Sequence, residues 1–573
     1  MITIRTKALV LGLALVAVVF AQAAWAGPKV NPASLDPGIV ERSLAPHEAP
    51  PATQMPEIRI GQDETGKISG GEGVSFALKQ VIFDGNQMFS DEELMKVVDR
   101  YLGLTVNVAV LEKMAGEITA YYHQNGYILT RAYLPPQTIA DGKVIIAVTE
   151  GRLGAIVVKG NERYKAETIK AVMQVVREEG ALTGKTLERA LLLLNDYPGM
   201  NVTATLVRGK DPGTTDIVVE VTEAKWWQVG VDFDNFGSEY VSPNRAGVNL
   251  SFPNPFGIGD YIGLRYMMGV NPQKKAGPMW YLRGEYNLPV NSYGTRLGVA
   301  VSRLDYDVGQ ELEVLDLEGT STTASLWASH PFTRTRNFSW WVDGGLDYKG
   351  IESKMFRIRL YQEDLYNLRA GTHLEWIDGG RGHNVTVVSL VKGLTDDDVG
   401  SRLFSKANFT KFEGSYRRFQ WLPLNLTGVI SATGQFSFDR VPVSEEFIAG
   451  GAGTVRGWGQ GDYSGDNGVV GSLEVRYPLF NQGLDWSLPS GSKGAWGLDA
   501  AVFTDYGRVW VKDSFPAEQS DASLWGAGLG LRLAWAPYGL AKVEWAKNLK
   551  GDKPLDSGAD HHGIWYLQLS ITY

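Results

Sequence analysis

Cysteine is absent from the 573-residue sequence, and histidine occurs only seven times. A chain without cysteine can have neither a disulfide framework nor a cysteine-ligated metal site. The one adjacent histidine pair, His561-His562, is a poor metal site because neighbouring residues on a strand point to opposite faces. No nucleophile can be paired with a base. We therefore expect no catalytic residue, no metal and no cofactor.

Positive charge is also in the minority. The 55 Lys and Arg accompany 64 Asp and Glu, so that the formal net charge is −9. This balance argues against a nucleic-acid partner. The length exceeds what one hydrophobic core usually organises, so we expect two or more domains.

Long apolar runs are missing except at the N-terminus. There Arg5 and Lys7 precede the apolar residues 8–21, and residues 24–26 (Ala-Trp-Ala) form a cleavage signal. We predict that residues 1–26 are a secretory signal peptide rather than a membrane anchor. No other segment approaches the roughly 20 apolar residues that a helix needs to cross a bilayer, so any membrane span of the mature chain must consist of strands.

Residues 27–73 are rich in proline, which predicts an extended linker. Within this segment, residues 37–44 can form two turns of helix, with Asp36 as N-cap and Pro37 in the first helical position. The alternative, a solvated part of the linker, fits the sequence equally well.

Residues 74–150 and 151–223 repeat the order β-α-α-β-β in copies of about 75 residues. Ser90 and Glu93 have the spacing of a capping box at the start of the first helix. The predicted elements lie at residues 76–83, 91–102, 108–125, 128–134 and 143–149, and then at 155–159, 166–178, 187–196, 202–207 and 215–221. Such a repeat is typical of modular binding arms.

From about residue 224 to the last residue, strand-like alternation replaces helical periodicity. In the final segment one face carries Trp565, Leu567, Leu569, Ile571 and Tyr573, and the other carries Tyr566, Gln568, Ser570 and Thr572. A soluble sandwich would turn the apolar face inward, whereas a membrane barrel would turn it toward lipid. Segment lengths, aromatic residues at segment ends and the size of the region favour the barrel.

Two motifs in this region carry an arginine and a carboxylate that can meet. Arg456 lies in Val455-Arg456-Gly457-Trp458, within a glycine-rich loop, and Asp505 lies in residues 503–507 (Phe-Thr-Asp-Tyr-Gly). Because Leu498, Ala500 and Val502 would face lipid, Asp499, Phe503 and Asp505 would face the lumen. A charge-assisted, bidentate bond between Arg456 and Asp505 is then within reach. An ordinary surface arginine is the alternative.

These features together resemble the two-partner secretion transporters of the haemolysin secretion/activation type. The repeat is similar to POTRA domains, and residues 187–199 resemble the second helix of a POTRA domain in these transporters. The loop motif resembles the tip of the inward-folded sixth loop of the POTRA-barrel superfamily, and residues 503–507 resemble its F-x-D-x-G strand motif. Tyr573 resembles the terminal aromatic residue by which outer-membrane barrels are recognised for assembly.

The resemblance implies a transmembrane antiparallel β-barrel of about sixteen strands at residues 224–573, preceded by two α+β POTRA domains. It also implies a loop folded inward near residues 448–468 and a short plug helix in the pore before the linker. The site residues that it implies are Arg456 and Asp505 as the lock between loop and lumen, Val455, Gly457 and Trp458 in the loop motif, and Phe503 and Gly507 in the strand motif.

The function implied is export of a large unfolded exoprotein through the barrel lumen, in the outer membrane of a Gram-negative cell with the POTRA domains in the periplasm. Further partners would be the barrel-assembly machinery and periplasmic chaperones during biogenesis, and outer-membrane lipid. Two alternatives remain, a factor that inserts other barrels and a passive porin. Deleting residues 76–223 should stop secretion of one partner for an exporter, and deplete many outer-membrane proteins for an inserting factor.

Overall fold

The computed structural model describes residues 30–44, 58–60, 75–178, 183–211, 214–270, 277–396, 400–487, 493–515, 518–536, 538–552 and 562–573. The predicted signal peptide, residues 1–26, and most of the predicted linker lie outside the described residues. Within the described part of the chain, no helix has both the length and the apolar composition needed to cross a bilayer.

Two small α+β modules precede the barrel. Before them lie α1 (Pro37–Leu44) and β1 (Ile58–Ile60). The first module consists of β2 (Phe76–Ala77), β3 (Gln80–Asp84), α2 (Asp91–Val98), β4 (Thr105–Val106), α3 (Val108–Gln124), β5 (Arg131–Tyr133) and β6 (Lys143–Thr149). The second consists of β7 (Arg152–Lys159), α4 (Ala166–Glu178), α5 (Gly184–Asn195), β8 (Met200–Arg208) and β9 (Thr214–Glu223).

The first module differs from its predicted outline in two places. The strand predicted at residues 76–83 is two strands, because β2 pairs with β4 whereas β3 pairs in parallel with β6. The first helix ends at Val98, and residues Asp99–Tyr101 form one turn of 3₁₀-helix. The capping box is confirmed, since the Glu93 amide donates to the Ser90 hydroxyl and the Glu93 carboxylate accepts from the Ser90 amide. These bonds from Ser90 lower the pKa of Glu93 below its usual value.

The core of each module lies between its helices and its sheet. In the first, Leu111, Met114, Ile118 and Tyr122 of α3 are buried at the three- and four-residue spacing of one helical face, while Val108 in the first turn is exposed. In the second, the sheet order is β1-β8-β9-β7. Helix α5 begins three residues before its predicted start, because the Thr183 hydroxyl accepts from the Thr186 amide as N-cap.

The remainder of the chain forms a closed antiparallel barrel, which confirms the predicted fold class. Its sixteen strands are β10 (Gln228–Asp234), β11 (Arg245–Pro253), β12 (Tyr261–Gly269), β13 (Met279–Pro289), β14 (Arg296–Asp307), β15 (Glu318–Arg334), β16 (Phe338–Met355), β17 (Ile358–Ile377), β18 (His383–Gly393), β19 (Thr410–Trp421), β20 (Thr427–Ser437), β23 (Asn467–Ser487), β24 (Lys493–Trp510), β25 (Asp521–Ala536), β26 (Gly539–Gly551) and β27 (Ile564–Thr572). Between β20 and β23, the short strands β21 (Phe447–Ala449) and β22 (Tyr463–Gly465) pair with each other.

Alternation along each strand separates an apolar outer face from a polar lumen. In β27, Trp565 is 59% exposed on the outside while Tyr566 is 3% exposed inside. Leu531 and Val543 also lie on the exposed outer face. Because a bilayer covers such a surface with acyl chains, these outward residues form the lipid-facing band of the barrel.

Hydrogen bonds between the first and last strands close the barrel. Strands β10 and β27 pair antiparallel, and the backbones of Val229 and Tyr573 bond to each other in both directions at 3.2 and 2.8 Å. At the other end of this seam, the Asn235 side chain accepts from the Leu567 amide at 2.7 Å and donates to the Trp565 carbonyl at 2.8 Å. The seam therefore has no unpaired stretch along β10.

The second module docks against the turns at one end of the barrel, which we call the proximal end. Arg334, at the end of β15, donates to both Asp196 carboxylate oxygens at 2.9 and 2.7 Å. Arg336 pairs with Glu188 of α5 at 3.4 Å, and the Arg189 guanidinium donates to the Pro331 carbonyl. The bidentate pair fixes the module beneath the lumen, since such pairs constrain both distance and orientation.

Candidate translocation lumen

The segment between β20 and β23 folds back into the barrel instead of extending outward. Its two short strands form the stem, and residues 450–462 form the tip. Gly457 has a φ of +91°, and a Cβ there would lie 2.6 Å from the Lys547 carbonyl carbon. Glycine is needed at this position because a side chain would clash with the wall and the backbone is left-handed.

Arg456 at the loop tip bonds the lumen wall in the way that its motif predicts. Its Nε and Nη2 donate to the two carboxylate oxygens of Asp505 at 2.7 and 2.8 Å, and its backbone amide donates to the same carboxylate at 3.0 Å. The guanidinium carbon lies 3.3 Å from the ring centre of Phe503. Arg456 is 7% exposed and Asp505 is fully buried. Such a bidentate, stacked geometry is specific to arginine.

The structure adds two carboxylates to this pair that sequence reasoning did not single out. Arg456 Nη1 lies 3.1 Å from Glu544 and 3.4 Å from Glu474. Arg532 bridges the same two glutamates, with 2.7 Å from its Nη2 to each of them. Alternation places Arg532 and Glu544 on the lumen face. Their meeting with Arg456 follows from the pairing register of β23, β24, β25 and β26.

The other loop-motif residues pack against the strand motif and the last strands. Val455 is fully buried, and a Cβ at Gly507 would lie 2.6 Å from its Cγ2 atom. Trp458 is 1% exposed, and its indole nitrogen donates to the Trp525 carbonyl at 3.2 Å. Gly507 is therefore the residue that lets the loop approach the wall.

Tyr566 is a further loop contact that the sequence motifs did not identify. Its hydroxyl accepts from the Gly457 amide at 2.9 Å and donates to the Trp458 carbonyl at 3.2 Å. The sequence feature that could have identified Tyr566 is its place on the inward face of the alternating terminal strand. Tyr573 lies at the proximal end, with its ring 3.9 Å from Lys225 Nζ. Its role as an assembly signal stays a prediction.

Helix α1 occupies the lumen beside the loop. Asp36 caps it by accepting from the amides of Gly38 and Ile39, and its other carboxylate oxygen accepts from the Tyr361 hydroxyl at 2.8 Å. The Arg42 guanidinium donates to the Glu446 carbonyl in the loop at 2.7 Å. Of the two alternatives for residues 37–44, a short helix and a solvated part of the linker, the structure shows the helix.

Glu41 attaches this helix to the barrel wall through three hydroxyl groups. Its carboxylate accepts from Ser321 at 2.5 Å, from Thr323 at 2.9 Å and from Ser302. All three contacts are noncovalent hydrogen bonds from neutral hydroxyl groups, and hydrogen bonds of this kind can be exchanged for hydrogen bonds to water.

Replacing Glu41 by alanine is expected to loosen the helix and raise the frequency of open-channel events in planar bilayers. Hydrogen bonds to a charged group contribute about 1.5 to 3 kcal/mol each, and a loss of about 1.4 kcal/mol shifts an equilibrium tenfold. We therefore expect about a tenfold increase. Glu112→Ala, at an exposed site on α3 of the first module, is the matched control. Unchanged conductance in Glu41→Ala would contradict the attachment.

Comparison with known proteins agrees with this architecture. Residues 213–533, more than half of the chain, match the family described as haemolysin secretion/activation protein ShlB/FhaC/HecB. Residues 76–151 match the ShlB-type POTRA domain.

Individual relatives cover most of the chain. The heme/hemopexin transporter protein HuxB of Haemophilus influenzae is 28% identical over 86% of this chain and 87% of its own length. The outer membrane transporter CdiB of Escherichia coli is 25% identical over 81% of this chain and 77% of its own. The solved structure of CdiB from Escherichia coli superposes with a TM-score of 0.71 at 21% identity, covering 89% of this chain and 93% of that one, which supports the fold.

The family match, the sixteen-stranded barrel and the two modules point the same way, including to the outer membrane as location. The chain belongs to the ShlB/FhaC/HecB haemolysin secretion/activation family, the outer-membrane transporters of two-partner secretion.

Proposed function

We propose that this transporter exports one large exoprotein, which it receives unfolded on its POTRA domains and passes through the barrel lumen. In this proposal residues 1–26 direct the chain out of the cytoplasm, and residues 27–73 are a linker that contains the plug helix. Residues 74–150 and 151–223 bind the client, and residues 224–573 form the pore.

The observation that carries the proposal is how the lumen is obstructed. Both obstructing elements, α1 and the inward loop, combine apolar packing against the wall with hydrogen bonds and ion pairs that fix their position. Polar contacts of this kind can be exchanged for contacts with water or with a client backbone, so the lumen can open without unfolding the barrel. A passive porin has no need of such displaceable parts or of an arm.

The arm has an edge that accepts extended chains. Strand β1 pairs in parallel with Ala204, Thr205 and Leu206 of β8. Backbone pairing at a sheet edge supplies affinity without demanding one side-chain sequence, which suits the binding of a long unfolded client. The ion pair between Asp196 and Arg334 holds this module at the pore entrance.

The closed seam favours passage through the lumen over lateral insertion of other barrels. A factor of the second kind must part its first and last strands, whereas here β10 and β27 are paired and the Asn235 side chain extends the pairing. Breaking these hydrogen bonds within the bilayer is costly because no water replaces them there.

Biogenesis implies further partners. We propose that the barrel-assembly machinery and periplasmic chaperones handle the nascent chain, with Tyr573 as part of the assembly signal, and that outer-membrane lipid covers the apolar band.

Loss of the whole transporter tests the proposal. In cells that lack it, one large exoprotein is expected to disappear from the medium and to be degraded or retained in the periplasm, while the outer-membrane protein profile is unchanged. Quantitative proteomics of both fractions measures this. Depletion of many barrel proteins would instead favour the assembly factor.

A further inference from the structure

A second cluster of buried charges lies at the distal end of the barrel, opposite the arm. Three loops meet there through residues 400–409 after β18, residues 438–446 after β20, and residues 511–515 and 518–520 after β24. The stem of the inward loop returns to the wall at Asp466, between β22 and β23. The Arg456 network does not include this cluster.

Asp466 joins all three loops through one carboxylate. Its Oδ1 atom accepts from the Val441 amide at 2.7 Å and from Arg402 Nη1 at 2.8 Å. Its Oδ2 atom accepts from the Lys512 amide at 2.8 Å and from Arg402 Nη2 at 3.3 Å. The residue is completely buried. A buried carboxylate with four donors is fully satisfied, so each donor is fixed in place by it.

Arg402 ties the first of these loops to the stem. Its Nη1 atom lies 2.6 Å from the Glu446 carboxylate as well as 2.8 Å from Asp466, and its Nη2 atom lies 3.2 Å from Glu518. Burial alone would lower the pKa of Arg402, but the surrounding carboxylates of Glu446, Asp466 and Glu518 raise it overall. The arginine therefore stays charged in the closed mouth.

Arg440 extends the same cluster to the third loop. It donates to both carboxylate oxygens of Glu518 at 2.9 and 2.7 Å, and also to the carbonyls of Leu403 and Lys512. Its guanidinium stacks on the Phe515 ring at 5.0 Å. These bonds close the loops over the barrel opening.

The residues that lead into the plug helix contact the stem that Asp466 anchors. The Asn31 side chain donates to the Gly461 carbonyl at 2.9 Å and to the Ser464 hydroxyl at 3.3 Å, two residues before Asp466. Arg42 donates to the carbonyl of Glu446, whose own carboxylate pairs with Arg402. A displacement of the stem is therefore transmitted to Asn31, six residues before α1, and to Arg42 within α1.

We infer that Asp466 is an outer anchor, a positioning residue that holds the distal mouth closed and supports the plug helix, separately from the lock at the loop tip. The inference rests on the proposed function. The tip lock fixes one end of the inward loop and the outer anchor fixes the other. Opening for a client then requires release of the Asp466 and Arg402 contacts at the mouth.

Channel recordings on Asp466→Asn in planar bilayers test this inference without any client. Asparagine keeps the size, but it removes the charge and places an amide group where one carboxylate oxygen accepts. The frequency of open events is expected to rise about tenfold, with faster proteolysis of loop 511–515 on intact cells. Asp521→Asn, in the exposed pair with Arg508 at 2.9 Å, is the matched control and should match the parent chain.

Further variants separate gating from loss of structure. Arg402→Gln breaks the same anchor from another loop, and Asp466→Asn combined with Arg402→Gln should open no more than either change alone. The difference in gel mobility between heated and unheated samples reports barrel assembly, and it should be the same in the variants as in the parent chain. If Asp466→Asn fails to assemble, Arg402→Gln is judged by the same criterion. Parental conductance in an assembled anchor variant overturns the inference. Failure of the parent chain to export a single exoprotein would instead overturn the proposed function, and it would leave the conductance result standing.

Discussion

Export by an Arg456→Ala variant is expected to fall to the level of cells without the transporter, while the barrel still assembles in the outer membrane. The substitution removes the arginine partner of Asp505, while Arg532 still pairs with Glu474 and Glu544. Removing one partner of a buried ion pair costs about 3 to 5 kcal/mol. That cost corresponds to a shift of roughly 100-fold or more in the position of the loop tip.

The physical reason for the loss is that the loop forms one wall of the path. With Arg456 in place the tip is fixed by the Asp505 bonds, by the Tyr566 hydroxyl and by buried Trp458. Without the guanidinium, the tip has no single position and the buried Asp505 carboxylate has lost its arginine partner. The barrel strands keep all of their backbone bonds, so assembly is unaffected.

Secretion of the exoprotein into the medium, measured beside heat-modified migration of the barrel, tests this expectation. Arg508→Ala removes an exposed arginine of the strand that carries Asp505, and it is the matched control. Arg456→Lys should recover only part of the export, because an ammonium group cannot bond both carboxylate oxygens in a planar fork. Parental secretion by Arg456→Ala would refute the lock.

Deletion of residues 76–223 is the second change with a large expected effect. Export of the exoprotein should stop, because the client then has neither a sheet edge to pair with nor a module held at the pore entrance by Asp196 and Arg334. The exoprotein is expected to accumulate in the periplasm and to be degraded there.

Channel activity of the deleted protein serves as the assembly control. The barrel closes through its own strands, so it should still conduct and still show heat-modified migration. Continued secretion by an assembled, arm-less barrel would contradict client reception by the POTRA domains. A general loss of other barrel proteins from the membrane would instead support an assembly role.

The spacing of residues that are close together in the sequence predicted much of the local structure. Alternation in the last segment separates Trp565 from Tyr566, and the structure places them outside and inside the barrel. The capping box of Ser90 and Glu93 and the buried face of α3 also follow from spacing alone. These features depend on residues close together in sequence, whose geometry is set by the period of a helix or a strand.

Other features depend on which distant strands lie side by side. Alternation could place Glu544 and Arg532 in the lumen, but only the register of β24, β25 and β26 brings them to Arg456 and Asp505. The split of the first predicted strand likewise follows from its two different partners.

The sequence by itself determined the order of the modules, the inward and outward faces of the strands, and the two motifs that carry Arg456 and Asp505. Each of these features is encoded either in the helix or strand periodicity of nearby residues or in a short run of residues. Only the tertiary structure decided that α1 fills the lumen, that Glu41 bonds three hydroxyls there and that Asp466 joins three loops. Those contacts join residues far apart in the chain, and a closed barrel brings them together by geometry that no local pattern contains.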